Sequence, residues 1–392
     1  RGLHRGLFDR RDGQAVSALM DIFIYGTLMS PDLRRAVAGG AQISTVAAEL
    51  DGYEVLPAAG HVVPLIRAAP AGRTTGQIML DIDAAQRARL DAYESAFGYR
   101  LIEVAVRTAA GLRDVAMYLP PQDSAVGAGD WSLEAWAQHH ESPAVLAATE
   151  LFAYQPALSR AEIRQRWHMF EKRAWAKTRA KAQNGQGVLR HTATPDDVTV
   201  VSQAPPQGNF YSTQAVELTH HRFDGQRSKV LPREVFVGID AVLVLPYDVS
   251  RDRVLLVEQL RVGPVVRDDP QPWILEPVAG MVDARETPRD AALRESREEA
   301  RLSDLELVEI AAFYPSPGSS TDYFHSYLGL CDLPDDHAAF GGLEEEAEDL
   351  RLHILRFDQA MALVKSGEIN AGPLITMLFY LAAERSTLRA TG

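Results

Sequence analysis

The chain lacks several features that define whole classes of protein. It contains one cysteine, Cys331, so it cannot form an internal disulfide, and this fits a reducing compartment. No stretch approaches the ~20 uninterrupted apolar residues of a membrane-spanning helix. The first residues also lack the apolar core of a secretory signal. The sequence therefore predicts a cytoplasmic protein that makes no use of a membrane.

An excess of positive charge is also missing. Lys and Arg number 40 against 53 Asp and Glu, and the resulting net charge of -13 argues against general nucleic-acid binding. The hydrophobic content of 46% and charged content of 24% are typical of a globular protein. A length of 392 residues exceeds what one hydrophobic core usually serves, so we expect two domains.

Composition and periodicity divide the chain into segments. The first residues carry Arg and Gly without apolar periodicity, and an apolar, β-rich run begins at Met20. Whether that Arg- and Gly-rich stretch belongs to the natural protein stays open. We predict four segments: a poorly ordered leader (1–19), a first domain (20–128), a helical extension and linker (129–190) and a second domain (191–392).

Both domains are predicted to mix strands and helices. The first has short strands, among them "DIFIYGTLM", "ISTVAAEL" and "GYEVLP", and a helix at "DAAQRARLDAYESA". Between the domains, the basic stretch "SRAEIRQRWHMFEKRAWAKTRAKA" has two interpretations, a nucleic-acid patch or an amphipathic helix. We favour the helix, with its charges solvated and four side chains buried: Ile163, Trp167, Phe170 and Trp175.

An acidic cluster lies in "GMVDARETPRDAALRESREEARL", residues 280 to 302. Thr287 suits the N-cap of a helix and Pro288 its first position. In such a helix Glu295, Glu298 and Glu299 share about one third of the circumference. Their charges repel near the C-terminal half, where the helix dipole also disfavours anions. A solvated acidic face is one interpretation, and bound Mg²⁺ between the carboxylates is the other.

This stretch resembles the Nudix box, G-x5-E-x7-R-E-U-x-E-E-x-G-U with U apolar. Two positions depart from it, since Ser296 replaces an apolar residue and Arg301 replaces the glycine that ends the helix. Glu286 and Arg294 are expected to pair and orient the helix rather than touch substrate. Seven of the nine specified positions match: Gly280, Glu286, Arg294, Glu295, Glu298, Glu299 and Leu302.

The flanking segments resemble the ADP-ribose pyrophosphatase subgroup of Nudix hydrolases. They are "EQLRVGPVVRDDPQPWILEPVAGMVDARE", "YPSPGSSTDYFH" and "LEEEAEDLRLHIL", and the resemblance covers roughly residues 198 to 385. It implies Mg²⁺ as cofactor, with Mn²⁺ as a substitute. The implied ligands are Glu295, Glu299, the main-chain carbonyl of Ala279 and Glu348, with Glu298 as a further ligand or a bridge through water.

The same resemblance implies a reaction. Glu346 would orient or deprotonate a water for in-line attack on a diphosphate, and ADP-ribose would give AMP and ribose 5-phosphate. Arg233 and Arg261 would contact the substrate, because a guanidinium fork fits a diphosphate. The subgroup often has Glu where this chain has Asp322, so we expect a shorter or lost contact to the terminal ribose.

In the first domain, "FIYGTLM" places Gly26 directly after Tyr25 at the end of an apolar run. Gly76 opens the strand "GQIML", and Glu94 stands five residues before Tyr99 and a further strand. Over about residues 20 to 120 this pattern resembles the γ-glutamylcyclotransferase-like (AIG2-like) family. In the family, Glu94 would shuttle a proton while a γ-glutamyl amine closes to 5-oxoproline, which requires a raised pKa. An exposed helix glutamate is the alternative. The loop that holds the substrate carboxylate would be Tyr25, Gly26, Thr27 and Leu28.

The two resemblances imply a mixed β-barrel with helices followed by a Nudix α/β/α sandwich with a mixed sheet, joined by a helical segment. They also imply a homodimer built through the N-terminal strands of the second domain, in "VELTHHRF" and "LPREVF". Three hypotheses for function stay open: diphosphate hydrolysis, γ-glutamyl amine chemistry as the main activity, or a non-catalytic first domain that binds a ligand or mediates oligomerisation.

Overall fold

A computed structural model describes residues 19–40, 42–183, 187–343 and 348–391. The predicted leader, apart from Leu19, therefore lies outside the described residues. The chain forms two compact units, one running to Phe152 and including Pro156–Gln165, the other made of Ala153–Gln155 and the chain from Arg166 onward. Within the described ranges, no helix combines the length and apolar character that crossing a membrane requires.

The first unit is a closed barrel with strand order β1-β3-β2-β4-β5. Strand β1 runs antiparallel to β3 and parallel to β5, so the barrel is mixed. Its strands are β1 (Met20–Ile24), β2 (Thr45–Pro57), β3 (Pro64–Ile82), β4 (Arg100–Thr108) and β5 (Gly111–Leu119). Its helices are α1 (Pro31–Ala38), α2 (Ala84–Ser95) and α3 (Leu133–Leu151).

Strands β1 and β3 of the barrel pack closely at one glycine, Gly76. A Cβ at Gly76 would lie 2.4 Å from the carbonyl oxygen of Ile24 and 2.5 Å from the Phe23 ring. Only a residue without a side chain lets β1 and β3 approach this closely. Phe23, Ile78 and Met117 fill the interior with side chains no more than 1% exposed.

Three predicted strands of the first unit differ from the structure. "DIFIYGTLM" forms a strand only to Ile24, after which Thr27–Met29 make one turn of 3₁₀ helix. "ISTVAAEL" and "GYEVLP" form one continuous strand, β2, with a register shift between Asp51 and Tyr53. The shift lets the strand bend without ending, which a turn-like Asp-Gly in the sequence does not reveal.

The second unit begins with most of α4 (Arg160–Ala182), since the division between the units falls inside this helix. A small antiparallel sheet follows, with strand order β6-β8-β7 and β9 paired to β8. Asp224 and Gly225 lie in the hairpin turn between β8 and β9. The strands are β6 (Val198–Gln203), β7 (Gln207–Gly208), β8 (Ser212–His220) and β9 (Leu231–Val237).

The main sheet of the second unit has the order β14-β15-β10-β11-β17-β16, with β12 paired to β11 and β13 to β10. Strands β10 and β15 are parallel, and the other pairs are antiparallel. The strands are β10 (Asp240–Asp248), β11 (Arg253–Leu260), β12 (Trp273–Glu276), β13 (Val278–Met281), β14 (Glu306–Phe313), β15 (Tyr323–Leu330), β16 (Phe340–Gly341) and β17 (Leu350–Arg356). The helices are α5 (Val262–Val266), α6 (Pro288–Ala300), α7 (Phe357–Ser366) and α8 (Gly372–Thr391).

Alternation along β10 shows the layers. Val242 and Val244 share a core with Ala291 of α6, while Leu243 and Leu245 share another with residues of α7 and α8. Because successive strand residues point to opposite faces, α6 covers one face of the sheet and the last two helices cover the other. This α/β/α sandwich, together with the mixed barrel, confirms the predicted fold class.

Candidate functional site

Local sequence positions the acidic helix α6. The Thr287 hydroxyl accepts a hydrogen bond from the Asp290 amide, and Pro288 occupies the first turn, as predicted. The helix ends at Arg301 in the left-handed conformation, with φ of 55°. The Ser296 hydroxyl is fully buried but donates to the Ala292 carbonyl at 2.7 Å, so the polar group has a partner.

Two of the predicted ligands are buried against strand β13. Glu299 is 2% exposed, and its Oε2 accepts from the Ala279 amide at 2.9 Å. Glu295 is 9% exposed and lies over Gly280, where a Cβ would stand 1.9 Å from its carboxylate. The glycine that opens the motif therefore makes this position of the Glu295 carboxylate possible, because the carboxylate occupies the space that a side chain would fill.

Arg294 links the carboxylates of this segment. It binds both oxygens of Glu286 at 3.0 Å and donates to the Met281 carbonyl, also at 3.0 Å. Its Nη1 also donates to Glu295 at 2.7 Å and to Glu298 at 3.0 Å. One guanidinium thus binds the end of β13, the Glu286 carboxylate ahead of α6 and two carboxylates of α6.

The electrostatics of the pair at the centre favour a cation. Burial raises the pKa of Glu295 to about 7, although Arg294 opposes the rise, and nearby Glu298 and Glu348 add to it. Burial raises the pKa of Glu299 to about 8, against the Ala279 amide, and Glu295 and Glu348 raise it further. The groups around these two carboxylates supply too little positive charge to stabilise their ionised forms fully.

The remaining residues of this predicted site lie on separate elements. Glu348 accepts from the Leu343 amide at 3.1 Å and is close enough to raise the pKa values of both central glutamates. Arg261 pairs with Glu276 at 2.6 Å. The predicted water-orienting residue, Glu346, lies outside the described residues. The role of Glu276 as the partner of Arg261 was missed, and its place in "LEPVAG" before the box was the available signal.

Two predicted substrate contacts lie at the edge of the small sheet. Arg233 is exposed on β9 and donates to the Pro232 carbonyl at 2.7 Å. Asp322 accepts from the Ser320 hydroxyl at 2.5 Å, and a Cβ at Gly238 would stand 1.7 Å from its carboxylate. No contact places Arg233 beside the α6 carboxylates among the described residues.

The donor chemistry of the cluster fits a hard divalent cation. Carboxylate oxygens that are buried, crowded and incompletely neutralised are the ligands Mg²⁺ prefers. In the described parts of the chain, however, no three His, Cys, Asp or Glu side chains already surround a common metal position. Arg294 holds Glu295 and Glu298 to one side, so the predicted ligand set shares a region without forming a closed site.

The first unit has a second candidate site, around Glu94 at the end of α2. Burial raises the pKa of this partly buried carboxyl to about 7. Burial also raises the pKa of Tyr25, and the neighbouring Tyr99 and Glu94 add to that rise. The Tyr25 hydroxyl donates to the Tyr118 carbonyl at 3.1 Å. A carboxyl with this pKa exchanges protons readily near neutrality.

Contacts with Pro64 and Arg34 fix the loop that follows β1. Gly26 precedes the 3₁₀ turn of Thr27 and buried Leu28, and a Cβ at Gly26 would meet the Pro64 ring at 2.8 Å. Buried Arg34 donates to the Leu28 carbonyl at 3.0 Å. Arg34 was not predicted, since a lone arginine in an unpredicted helix gives no signal in the sequence.

Comparison with known proteins identifies relatives of the second unit. The NUDIX domain family model matches residues 239–377. An ADP-ribose pyrophosphatase of Haemophilus influenzae is 32% identical over 195 residues, which are 49% of this chain and 89% of that protein. The chain belongs to the Nudix family. A second ADP-ribose pyrophosphatase, from Escherichia coli, is 31% identical over 194 residues, covering 50% of this chain and 92% of that protein.

The second unit also resembles a protein that is named for a different nucleotide sugar. A GDP-mannose pyrophosphatase of Escherichia coli is 28% identical over 186 residues, which are 47% of this chain and 94% of that protein. The first unit matches a different family, "Gamma-glutamyl cyclotransferase, AIG2-like", at residues 22–133. Both predicted resemblances are confirmed: a Nudix hydrolase domain fused to an AIG2-like domain.

Proposed function

We propose that the second unit hydrolyses the diphosphate bond of ADP-ribose, or of a related nucleoside diphosphate sugar, with Mg²⁺. The observation that carries this proposal is the seating of Glu299 on the Ala279 amide and of Glu295 over Gly280, where a Cβ would displace its carboxylate. The relatives named for ADP-ribose and GDP-mannose support the substrate class. With ADP-ribose the products would be AMP and ribose 5-phosphate.

The residues that would hold the cation are Glu295, Glu299, Glu348 and the Ala279 carbonyl, with Glu298 beside them. Mg²⁺, or Mn²⁺ in its place, supplies positive charge to the diphosphate oxygens and acidifies water. Arg294 keeps Glu295 and Glu298 in place by direct ion pairs, and Glu286 keeps Arg294 in place.

The substrate and the water need other groups. Arg261, paired with Glu276, lies close enough to Glu299 to lower its pKa, so its guanidinium can bind a diphosphate oxygen near the acidic cluster. Glu346 is proposed as the base that orients the attacking water. Arg233 and Asp322 are proposed as contacts to the ends of the substrate.

The test is product identification on the full chain. Wild-type protein with ADP-ribose and Mg²⁺ should release AMP, and Glu299→Gln should abolish the release. Glu306→Gln, an exposed glutamate on β14, is the matched control and should retain activity. AMP release that survives Glu299→Gln, or a nucleoside diphosphate screen without any product, would show the proposal to be wrong.

A second activity is proposed for the first unit because Glu94 has the pKa of a general base and lies beside Tyr25 and Tyr99. The α-amine of a γ-glutamyl compound would attack its own side-chain amide carbonyl. Glu94 would take the proton from that amine and deliver it to the departing amine. The amide C–N bond breaks as the lactam C–N bond of 5-oxoproline forms.

This activity has its own assay. γ-Glutamyl peptides should yield 5-oxoproline, with a rate that rises between about pH 6 and pH 8 as Glu94 ionises. Glu94→Gln should remove the product, while Glu103→Gln, on β4, should not. Absence of 5-oxoproline from wild-type protein would instead favour a binding or oligomerisation module.

We also propose that the protein is a homodimer assembled through the small sheet. Strand β6 forms an edge of this sheet, and Val198, Val200 and Val201 are each more than half exposed there. An edge strand with exposed valines readily pairs with another chain.

A further inference from the structure

Helix α4 contacts the Nudix box although it lies outside both family matches, which cover residues 22–133 and 239–377. The Lys172 ammonium is 2.7 Å from the Asp283 carboxylate, with the lysine side chain only 15% exposed. One residue earlier, Glu171 lies 3.6 Å from Arg285. Both partners belong to the turn between β13 and α6.

A third contact fixes the strand that borders this turn. Arg179, two helical turns beyond Lys172, donates from Nε to the Asp240 carboxylate at 2.6 Å. The Asp240 carbonyl in turn accepts from the Val282 amide at 3.0 Å, directly after β13. Three side chains of α4 thus contact the turn at residues 283–285 or the strand residue, Asp240, that binds Val282.

The turn itself is strained and closed by its own hydrogen bonds. Arg285 has a φ of 71°, a left-handed conformation that costs a non-glycine residue energy. The Asp283 amide donates to Glu286 Oε2 at 3.1 Å, and the Glu286 amide donates to the Asp283 carbonyl at 3.2 Å. The position of Asp283 therefore determines that of Glu286.

Glu286 passes this position on to the acidic cluster. It binds Arg294 through both oxygens, and Arg294 binds Glu295 and Glu298. A displacement of Asp283 would consequently move Arg294, and with it the carboxylates that Arg294 holds. Groups that orient the direct ligands of a site commonly change its activity when they are lost.

We propose that Lys172 and Glu171 of α4 are positioning residues for the Nudix reaction. They hold the turn that ends in Glu286, and they act through Arg294 without touching substrate. The role rests on the proposed diphosphate hydrolysis. Helix α4, which lies between the two family-matched regions, would then help to position the hydrolase site.

The experiment compares Lys172→Met with Lys177→Met in the full chain, because Lys177 is exposed on the same helix. Lys172→Met should lower kcat for ADP-ribose about 10-fold with KM changed less than about 2-fold, since the turn serves the carboxylates and not Arg261. Lys177→Met should match wild type. Exchanging the charges, Lys172→Glu with Asp283→Lys, should restore most of kcat, as expected for a direct pair.

Amide hydrogen exchange of residues 282–287 provides a readout besides activity. Lys172→Met should exchange faster there than Lys177→Met, whichever substrate the enzyme uses. Equal exchange in the two variants, or equal kcat in an active enzyme, overturns the inference. A wild-type enzyme without activity on any nucleoside diphosphate overturns the proposed function instead, and the exchange comparison still decides the role of Lys172.

Discussion

At Gly280 the backbone of β13 passes beneath the Glu295 carboxylate with no room for a methyl group. We expect Gly280→Ala to displace that carboxylate and lower kcat for ADP-ribose by about 10- to 100-fold. Gly263→Ala is the matched control, because a Cβ there meets no atom within 4 Å. Steady-state kinetics of the two variants check the prediction, and equal rates would contradict it.

Arg301 ends α6 in a conformation that suits glycine. We expect Arg301→Gly to stabilise the second unit by about 1 kcal/mol, because the left-handed cap then carries no Cβ. Urea denaturation gives the change. Arg301→Ala is the comparison, since it removes the contact to the Phe340 carbonyl but keeps the Cβ. A gain in Arg301→Ala as large as that in Arg301→Gly would refute the conformational explanation.

Helical periodicity predicted that Glu295, Glu298 and Glu299 share a face, because 3.6 residues per turn fixes direction from spacing. It did not predict that Arg294 would hold Glu295 and Glu298 together. Rotamers depend on packing against β13, and the Met281 carbonyl that accepts from Arg294 belongs to that strand, outside the helix. Spacing therefore predicts the candidate site residues, while their partners depend on the tertiary fold.

Among the helices, α8 is anchored by one aspartate. Asp252 accepts from Arg385 Nε at 2.8 Å, from the Tyr247 hydroxyl at 2.8 Å and pairs with Arg389 at 3.0 Å. Hydrogen bonding by Arg385 lowers the pKa of Asp252 to about 2 from an ordinary 3.8. Asp252 also has a φ of 57°, which asparagine tolerates, so Asp252→Asn removes the charge without straining the backbone.

The sign of its pH dependence follows from the lowered pKa. The carboxylate stabilises the folded state above the unfolded pKa, and this contribution disappears as the pH falls toward the folded value. Asp252→Asn should therefore cost about 1 kcal/mol near neutral pH after allowance for solvent screening, and progressively less below about pH 4. Denaturation at several pH values checks this, with exposed Asp336→Asn as control. A cost independent of pH would be evidence against the ion pairs.

The elements with local signals were predicted well. Helix α6 begins at Pro288, where a capping threonine precedes it. Helix α1 was missed, because eight residues between two turns give too little periodicity. In the basic helix α4, Ile163 and Phe170 are buried as predicted, but Trp167 and Trp175 are only partly buried. The prediction that its charges are solvated was wrong for Arg173, which is 1% exposed, and for Lys172, which is 15% exposed and pairs with Asp283.

At the scale of the whole molecule, the exposed edge of β6 leads us to predict a dimer. Wild-type protein at micromolar concentration should scatter light as a dimer, and Val200→Glu should scatter as a monomer because charge blocks an edge strand. Leu112→Glu, in the first unit and 71% exposed in wild type, should stay dimeric. A wild-type monomer would refute the assembly.

The boundary inside α4 has a consequence for protein engineering. A chimera that exchanges the AIG2-like part for another fold would ordinarily be joined near residue 190, just ahead of the Nudix homology. That joint would discard Glu171, Lys172 and Arg179, leaving Asp283 and Asp240 facing a foreign linker. The non-helical residues 153–159 offer a better crossover, because a graft made there transfers the helix along with the hydrolase that it supports.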